Sequence, residues 1–594
     1  MSDAILLQYI RTFVLRAVNE LRDKLIAVDL FSGAGGLSTG FLQTGKVKII
    51  AAVENNKWAQ QTYDKNHQHL NIKMFDDIND LVEDEFREIL NLVRISGHEK
   101  VDIVFGGPPC QGFSNANRQR SEVVSTNNQL VKAFVKAIEK LNPDAFLMEN
   151  VKTLKSEKHK FYVSGNDRIG DLERLKLTPE RLLVGQTPWV DMIKYAFKNP
   201  IFFDELLFQD EKVMAKVSHT LRKEKEFEFF LTKNKGIILH YINLNCDKIQ
   251  NVCSEQDSFM TYRDCWNGVR NKTIAFFNNE IVDFDELFRD LKLVYEAQKI
   301  LIKLHELKQK KIEVIDLTID EDKVYVILRS YSVLDYLLAK FDELGYKLNG
   351  DDRILNAADY GAPQNRERLF ILGIKKGLAT DRVVELPEPF VGEKYTVYEA
   401  ISDIESLTPV TEIQGDNKTL KIKMTPENPL QRYLHAGEKH LYNHVMTDTT
   451  SIAKKRFSML GEGDNFHKLD ESLKMTYTNP NRTQNTVYLR LKYDTPAGTV
   501  LNVRKSMWIH PKEDRAISIR EAARLQTFPD NFRFFGTKDA QYQQIGNAVP
   551  PVLGRAVAEK MLEYLGIQPQ EKLADIIGRP SKSEKVYQET LTFA

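Results

Sequence analysis

Short apolar runs alternate with helical segments between residues 25 and 151, and this alternation constrains the fold more than any other feature of the chain. The runs are rich in β-branched and aromatic side chains, as interior strands are. They cover residues 25–31, 48–53, 73–78, 101–105 and 145–151. Strands that alternate with helices predict a doubly wound, Rossmann-like parallel α/β sheet, whose ligand crevice lies at the carboxyl ends of the strands.

The alternation stops near Leu154 and resumes at a predicted helix over 332–344. The stretch between them is charged, rich in aromatic residues and mostly helical by pattern, with strand-like runs near its end. We interpret it as an inserted domain. A second region of weak periodicity follows the next predicted strand at 368–374 and indicates a smaller, loop-rich domain. Ser518 and Glu521 then form a capping box that starts another helix.

These patterns divide the chain into seven segments. In order, we predict an amphipathic helix at 1–23, the first part of the α/β domain at 24–159, the mostly helical insertion at 160–327, the second part of the α/β domain at 328–380, the loop-rich domain at 381–534, the C-terminal part of the α/β domain at 535–566 and a polar tail at 567–594.

Composition excludes several classes of protein. The 594 residues include 83 basic and 83 acidic side chains, so any binding of nucleic acid must depend on a local basic surface. Only four cysteines occur, and neither a signal peptide nor an apolar run long enough to span a membrane is evident. These features predict a cytoplasmic protein without disulfides or membrane spans.

A glycine-rich turn, Gly33-Ala34-Gly35-Gly36, joins the first predicted strand to a helix, and Glu54 ends the second strand. Missing side chains let the backbone approach a ligand, and a carboxylate at that strand end can accept both hydroxyls of a ribose. The third glycine of a pyrophosphate-binding motif is absent, because Ser38 and Thr39 stand in its place. S-adenosylmethionine therefore fits better than NAD.

Cys110 follows Gly106-Gly107-Pro108-Pro109 directly after a predicted strand. Two prolines fix the backbone and hold the thiol on a rigid mount, which suits a nucleophile. Taken on its own, the segment favours a plain tight turn with a buried cysteine. Glu149 ends a neighbouring strand, so a thiol and a carboxyl group are expected at the same crevice, although Glu149 could instead cap the following turn.

Further polar residues lie at predicted strand ends. Arg366 and Arg368 alternate just before an apolar strand and therefore share a face, where they suit a phosphate or a polar base edge, or serve as surface charges. Asp77 follows the third strand as a candidate ligand residue, with Asp76 as a competitor and a plain turn as the alternative.

Together these residues resemble the C5-cytosine DNA methyltransferases, whose motifs occur here in order. The matching segments are 29–36, Glu54, 77–78, 107–114, 149–151, 364–368, 520–529 and 544–551. The resemblance covers the predicted α/β domain, and it identifies 381–534 as the target-recognition domain of such an enzyme. It does not account for the insertion at 160–327.

The resemblance implies four catalytic residues. The thiolate of Cys110 would add to C6 of a cytosine that is flipped out of the duplex, so that C5 can accept a methyl group. Glu149 would hydrogen-bond N3 and the exocyclic amine of the base. Arg368 would hold the ring oxygen or the loop around the nucleophile, with Arg366 in support. The base that removes the C5 proton is not identified by the sequence.

S-adenosylmethionine is the cofactor that the resemblance implies. The residues expected to bind it are Phe31, Ser32, Gly33, Gly35, Gly36, Glu54, Asn55, Asp77, Ile78, Pro108, Asn547 and Val549. No metal is expected: Cys246, Cys253 and Cys265 with His240 have irregular spacing and no C-x-x-C pair, so a core or surface role is favoured over zinc.

DNA contacts are expected from two regions. Around the nucleophile the candidates are Gln111, Ser114, Arg118, Arg120 and Gln364, although the loop after Ser114 departs from the family pattern. In the target-recognition domain we expect Arg490 and a set of basic residues interleaved with aromatic ones to contact phosphates and bases, with a solvated face as the alternative. These are Lys454, Lys455, Arg456, Lys468, Arg482, Lys492, Arg504 and Lys505, with Tyr477, Tyr488, Tyr493 and Trp508.

The sequence thus predicts a DNA (cytosine-5)-methyltransferase of bacterial restriction-modification type that acts on double-stranded DNA as a monomer. Such an enzyme would protect host DNA from a cognate restriction endonuclease without forming a stable complex with it. Two alternatives remain: an RNA cytosine-5 methyltransferase on the same fold, and a catalytically silent DNA-binding regulator. The insertion leaves the sheet on the crevice side and is expected near the DNA or cofactor entrance.

Overall fold

A computed structural model describes the chain at 24–109, 127–156, 159–167, 169–250, 252, 257–379, 382–414, 420–421, 425–477 and 479–580. The predicted N-terminal helix at 1–23 lies outside these residues. The chain forms two compact units. Within the described residues the first comprises 24–109, 129–155 and 340–580, and the second comprises 127–128 and 156–339.

Fourteen strands are present in the described part of the chain. In order they are β1 Leu25–Leu30, β2 Val47–Val53, β3 Lys73–Phe75, β4 Ile103–Gly106, β5 Ala145–Val151, β6 Lys160–Tyr162, β7 Thr178–Gln186, β8 Val314–Asp320, β9 Lys323–Ser332, β10 Tyr346–Leu348, β11 Ile354–Asn356, β12 Glu367–Lys375, β13 Leu420–Lys421 and β14 His440–Leu441.

The first unit is built on an eight-stranded sheet in the order β10-β12-β5-β4-β1-β2-β3, with β11 paired to β12. The strands from β3 to β5 are all parallel, whereas β12 runs antiparallel to β5. The chain moves outward from β1 through β2 to β3 and then returns to place β4 on the other side of β1. This arrangement confirms the predicted doubly wound α/β fold, and its topological switch point lies between β1 and β4.

Helices cover the sheet and build the remainder of the first unit. They are Gly36–Gln43, Lys57–His67, Ile78–Glu83, Arg87–Ile95, Asn127–Leu141, Lys376–Ala379, Val397–Ile401, Pro429–His435, Ser451–Ser458, Glu471–Lys474, Val503–Ser506, Ile519–Leu525, Lys538–Asn547, Pro551–Tyr564 and Leu573–Ile577. The last of these falls in the segment predicted as a polar tail. Its side chains Leu573 and Ile577 are fully buried, so the ordered part of the chain extends beyond the prediction.

Short 3-10 helices occur at Gln68–Leu70, Lys152–Lys155, Glu224–Glu226, Ala357–Tyr360, Ser402–Ile404, Phe466–Lys468 and Pro480–Arg482.

The third predicted strand, at 73–78, ends early in the structure. Strand β3 stops at Phe75, and Asp77 is the N-cap of the helix Ile78–Glu83, accepting a hydrogen bond from the backbone of Asn79. Aspartate is a strong N-cap residue, and this local preference ends the strand.

Strands β6, β7, β8 and β9 form a separate antiparallel sheet in the second unit. Its helices are Ile169–Leu172, Val190–Lys198, Pro200–Leu206, Glu211–Leu221, Phe227–Lys233, Lys235–Gln250, Asp257–Phe277 and Phe284–Gln309, and Val333–Glu343 follows the sheet along the chain. Their apolar faces pack into a core of their own, with Trp266, Tyr241 and Tyr262 fully buried. Burial of aromatic faces is the main stabilising contribution to such a helical core.

Two properties of the whole described chain bear on its chemistry. None of the helices within it is both long and apolar enough to cross a membrane. The same residues contain no group of three or more histidine, cysteine, aspartate or glutamate side chains placed to hold a metal ion. Cys246 is buried against the Trp266 carbonyl and Cys265 lies near the carbonyl of Asp290, while Cys253 lies outside the described residues.

Candidate active site

The glycine turn after β1 lies at the switch point of the sheet. Phe31 has φ of 59° and Gly33 and Gly35 also have positive φ, so the backbone reverses sharply where β1 ends. A bulky non-glycine residue with positive φ is uncommon and carries backbone strain. A Cβ added at Gly33 would meet nothing within 4 Å, so the turn leaves open space beside its backbone.

Gly36 starts the following helix in contact with the C-terminal part of the unit. A Cβ at this position would lie 2.3 Å from the carbonyl oxygen of Val549. This contact brings Val549 to the glycine turn, although more than 500 residues separate them in sequence. Asn547 ends the helix before it and is exposed, with its amide oxygen accepting a hydrogen bond from Gln543.

Glu54 is held against the same turn. Its carboxylate accepts hydrogen bonds from the backbone of Gly33 at 2.9 Å and of Asn56 at 2.7 Å. Burial raises the pKa of Glu54, and these backbone donors, with Asn55, oppose that shift. The carboxylate therefore lies at the carboxyl end of β2 beside the open turn, the position that ribose hydroxyls would need. Asn55 is exposed next to it.

Asp77 and Ile78 follow β3 at the next strand end. Ile78 is buried, while Asp77 uses one carboxylate oxygen as a helix cap. The competing candidate, Asp76, pairs with Lys57 at 2.8 Å and accepts a hydrogen bond from Gln60. Its carboxylate is thereby engaged on the helix after β2, which leaves Asp77 as the better candidate for the cofactor.

The segment that leads to Cys110 is packed closely against its neighbours. A Cβ at Gly106 would lie 2.0 Å from the carbonyl oxygen of Leu30, and one at Gly107 would lie 2.6 Å from the Glu149 carboxylate. The amide of Asn150 donates a hydrogen bond to the Pro108 carbonyl at 3.1 Å. These contacts fix the backbone immediately before Cys110. Cys110, Gln111, Ser114, Arg118 and Arg120 themselves lie outside the described residues.

Glu149 and Arg368 form an ion pair beside this segment. The guanidinium Nε lies 3.0 Å from the carboxylate, and both side chains are less than 15% exposed. The antiparallel register of β12 against β5 sets Arg368 opposite Val151, two residues from Glu149. Burial raises the pKa of Glu149, while the charges of Arg368 and Arg366 oppose the shift. A buried carboxyl group whose pKa is raised in this way can hold or share a proton with a base edge.

Arg366 has a different environment from Arg368. It is fully buried and donates to the carbonyls of Val500 and Gly546. Burial lowers its pKa well below the usual value. The side chain therefore positions the segment that leads to Val549, and its donors do not face an open crevice.

Gln364 and Arg490, both expected to contact DNA, are also buried. The side chain of Gln364 bonds Leu525, Gln526 and the backbone of Val500. Arg490 donates to five backbone carbonyls and to the Asp514 carboxylate. Because the side chains of both residues are buried and hydrogen-bonded inside the unit, the geometry does not support a direct DNA contact for either residue.

The other basic candidates of this region divide into three groups, and the aromatic ones, including the half-buried Tyr477, pack inside the unit. Arg456 is buried and bonds Leu473 and Tyr488, while Tyr488, Tyr493 and Trp508 belong to the core. Arg504 and Lys505 are exposed and pair with Asp539. The exposed remainder, which can face DNA, is Lys454, Lys455, Lys468, Arg482 and Lys492.

The sequence reasoning missed a buried polar network beneath the glycine turn. Ser38 donates to Asp29 at 2.5 Å and lies 2.8 Å from the hydroxyl of Tyr63. Within the described residues, the second carboxylate oxygen of Asp29 and the hydroxyl of Ser32 are buried without a partner. The position of Asp29 inside an otherwise apolar strand was the sequence feature that could have indicated this network. Unpartnered polar atoms, an open glycine turn and the Glu54 carboxylate together fit a ligand with a ribose and a charged amino-acid end, as S-adenosylmethionine has.

Comparison with known proteins agrees with this geometry. The family model for C-5 cytosine-specific DNA methylase matches residues 25–169 and 326–563, more than half of the chain. The type II methyltransferase M.DdeI of Desulfomicrobium norvegicum is 33% identical over 39% of this chain, and the match spans 58% of that protein. M.XorII of Xanthomonas oryzae is 25% identical over 92% of this chain and 86% of its own length, and M1.HphI of Haemophilus parahaemolyticus is 25% identical over 91% and 87%.

A solved E. coli structure, described as a DNA modification methyltransferase encoded within a prophage, aligns with 91% of this chain and all of its own, with a TM-score of 0.50 and 19% identity. That likeness supports the fold. The family match includes every segment that builds the switch-point crevice: the glycine turn, the Glu149 strand end and the helix that ends at Asn547. The chain therefore belongs to the family of C-5 cytosine-specific DNA methylases.

Proposed function

We propose that this protein transfers a methyl group to C5 of a cytosine in a specific double-stranded DNA sequence through a covalent adduct between Cys110 and C6. The observation that supports it most directly is the buried pair of Glu149 and Arg368 beside Gly107, three residues before the proposed nucleophile. Neither side chain packs in the hydrophobic core. A carboxyl group with a raised pKa and a guanidinium, both buried at a strand end, suit recognition of a polar base edge.

Each proposed catalytic residue has a separate role in the reaction. The Cys110 thiolate attacks C6, while Glu149 hydrogen-bonds N3 and the exocyclic amine and so stabilises charge on the ring. Arg368 holds the Glu149 carboxylate in place and faces the ring oxygen. After C5 has accepted its methyl group, a base removes the C5 proton and elimination releases the thiolate. Because the target atoms are stacked inside duplex DNA, the cytosine must first be flipped out.

The methyl group comes from S-adenosylmethionine, which supplies an electrophilic methyl when bound. Phe31 would lie beside the adenine, with Asp77, Ile78 and Pro108 around it, and Glu54 would accept the ribose hydroxyls. The remaining residues proposed for this site are Ser32, Gly33, Gly35, Gly36, Asn55, Asn547 and Val549. Arg366 holds the Gly546 carbonyl and thereby positions Asn547 and Val549.

The biological role that we propose is protection of host DNA from a cognate restriction endonuclease in the cytoplasm, with the methyltransferase acting as a monomer and without a stable complex with that endonuclease. The type II methyltransferases to which the chain is similar support this role. Gln111, Ser114, Arg118 and Arg120 would contact DNA around the flipped base, and the exposed lysines and arginine of the target-recognition domain would contact the duplex.

Bisulfite sequencing tests this function directly. The chain is expressed in a host without cytosine methylation, and 5-methylcytosine is mapped in both DNA and RNA. We expect methylation at one short DNA sequence, none with Cys110→Ser, and a rate about 10²–10⁴-fold lower with Glu149→Gln, whose S-adenosylmethionine affinity should be unchanged. Methylation confined to RNA, or full activity of Cys110→Ser, would contradict the proposal.

A further inference from the structure

A row of basic side chains lies on one face of the helix Glu211–Leu221 in the second unit. Lys212, Lys216 and His219 are spaced by four and three residues, so they share a face of the helix, and Lys223 follows just beyond its end. All four side chains are exposed. These four residues are called the basic stripe below.

The basic stripe ends at a pair of phenylalanines. The His219 ring packs edge-on against Phe230 at 4.9 Å, and the Lys223 ammonium lies 5.6 Å from the centre of the same ring. The Lys233 ammonium lies 5.8 Å from the ring centres of both Phe229 and Phe230. Phe229 is 61% exposed. The two rings therefore bring Lys223 and Lys233 together at the surface through cation–π contacts.

The lysines of the basic stripe and Lys233 have no acidic partner among the described residues of the unit. Within the part of the chain that the structure describes, no carboxylate lies within 4.0 Å of the basic stripe or of Lys233. Glu224, Glu226 and Glu228 are exposed nearby in sequence but remain outside that distance. Other lysines of the same unit do have acidic partners: Lys272 pairs with Asp290, Lys299 with Glu296 and Lys310 with Glu306.

We propose that the basic stripe, together with Lys233 and the Phe229–Phe230 pair, contacts the phosphate backbone of DNA. The inference rests on the proposed function, since it takes double-stranded DNA as the substrate. Lys212 and Lys216 lie about 6 Å apart along the helix axis, which is close to two of the roughly 3.4 Å axial steps between phosphates on one strand. A polyanion complements a cluster of exposed lysines without acidic partners, and phosphate contacts add affinity without sequence choice.

The test measures the binding of the full-length protein to a duplex of random sequence as a function of salt. Replacing Lys212, Lys216 and Lys223 by glutamine should weaken binding and reduce the slope of log K against log salt concentration by about 2–3, since each phosphate contact contributes about 0.9. The matched control replaces Lys272, Lys299 and Lys310 by glutamine. It removes the same charge from the same unit and should leave the slope unchanged.

Two outcomes separate this inference from the proposed function. An unchanged salt slope in the Lys212→Gln, Lys216→Gln, Lys223→Gln variant, with DNA methylation intact in the wild type, would overturn the DNA contact and leave the methyltransferase proposal standing. An equal loss of slope in the control would also overturn the DNA contact, because the lower net positive charge of the unit would then explain the effect. Absence of methylation in the wild type would count against the proposed function alone.

Discussion

The imidazole of His67 lies buried beneath the glycine turn of the proposed cofactor site. A Cβ at Gly35 would lie 2.9 Å from its Cε1 atom, and its Nδ1 is 2.9 Å from the Tyr63 carbonyl. Burial lowers the pKa of His67 to about 4, with the Tyr63 hydrogen bond opposing the shift. The ring is therefore neutral when the protein is folded near neutral pH, and protonation would place a charge under the turn.

This environment predicts an acid-sensitive fold. The pKa of His67 is lower in the folded protein than in the unfolded chain. Its full contribution to the free energy of unfolding is therefore present above about pH 6.5 and is lost as the pH falls toward 4. At pH 5 the loss is about 2 kcal/mol of unfolding free energy. Urea unfolding between pH 7 and 5 should show a smaller loss in His67→Asn than in the wild type. The exposed neighbour provides the control: His69→Asn should lose as much stability as the wild type, and equal losses in all three proteins would show that His67 is not responsible.

Single residues differ in how far the sequence alone could assign them. Glu54 and Glu149 could be placed from strand-end positions, because parallel strands deliver their carboxyl ends to one crevice. Arg366 and Arg490 could not. Their partners are mainly backbone carbonyls that lie outside their own elements, and a sequence does not distinguish a buried guanidinium bonded to carbonyls from an exposed one that binds a phosphate.

Two helices of the first unit, Gly36–Gln43 and Pro551–Tyr564, approach each other through glycines. A Cβ at Gly40 would lie 2.5 Å from the backbone nitrogen of Arg555 and 2.6 Å from the Pro551 carbonyl oxygen. Gly554 faces Leu37 across the same contact. Because backbone meets backbone, no side chain can move aside to admit a methyl group.

Alanine substitutions at two helical glycines should therefore have opposite effects. Gly40→Ala should destabilise the first unit by about 1–3 kcal/mol through overpacking and should also weaken S-adenosylmethionine binding, since Gly36 on the same helix contacts Val549. Gly268 also lies within a helix but has open space around it, so Gly268→Ala should stabilise its helix by up to about 1 kcal/mol. Urea titration and calorimetric cofactor binding measure both effects. A neutral Gly40→Ala would show that the two helices can separate without cost.

Elements were predicted best where local signals are strong. The mostly helical pattern of the insertion, seen in helices such as Phe284–Gln309, and the capping box of Ser518 and Glu521 agree with the structure, because periodicity and capping are local properties. The antiparallel pairing of β12 with β5, which brings Arg368 to Glu149, depends on long-range register and had no local signal. The buried helix Leu573–Ile577 was missed because its five residues are too short for a periodic pattern.

At the scale of the whole molecule, the first unit is closed by hydrogen bonds between residues far apart in sequence. Thr62 donates to Gln544, Asn66 bonds the backbone of Arg533, and Arg366 bonds Gly546. The segments of this unit must therefore meet before the proposed cofactor site is complete. The domain boundaries predicted from composition remain predictions, although the insertion contributes none of these hydrogen bonds.

The two ends of the insertion lie next to each other. Lys160 of β6 and Ser332 of β9 are paired neighbours, and the backbone of Val333 donates to the His159 carbonyl. A short Gly-Ser linker can therefore replace residues 161–331 without stretching the chain. We expect this deletion to retain S-adenosylmethionine affinity, because every proposed cofactor residue lies in the first unit.

DNA binding should respond differently to the same deletion. The protein without 161–331 loses the basic stripe, so its affinity for duplex DNA and the salt dependence of that affinity should fall at least as far as in the triple glutamine variant. Calorimetry with S-adenosylmethionine and fluorescence anisotropy with a labelled duplex measure the two affinities in one preparation. Undiminished DNA affinity in a deletion protein that still binds the cofactor would show that the insertion has no part in DNA binding, and would assign the whole contact to the first unit.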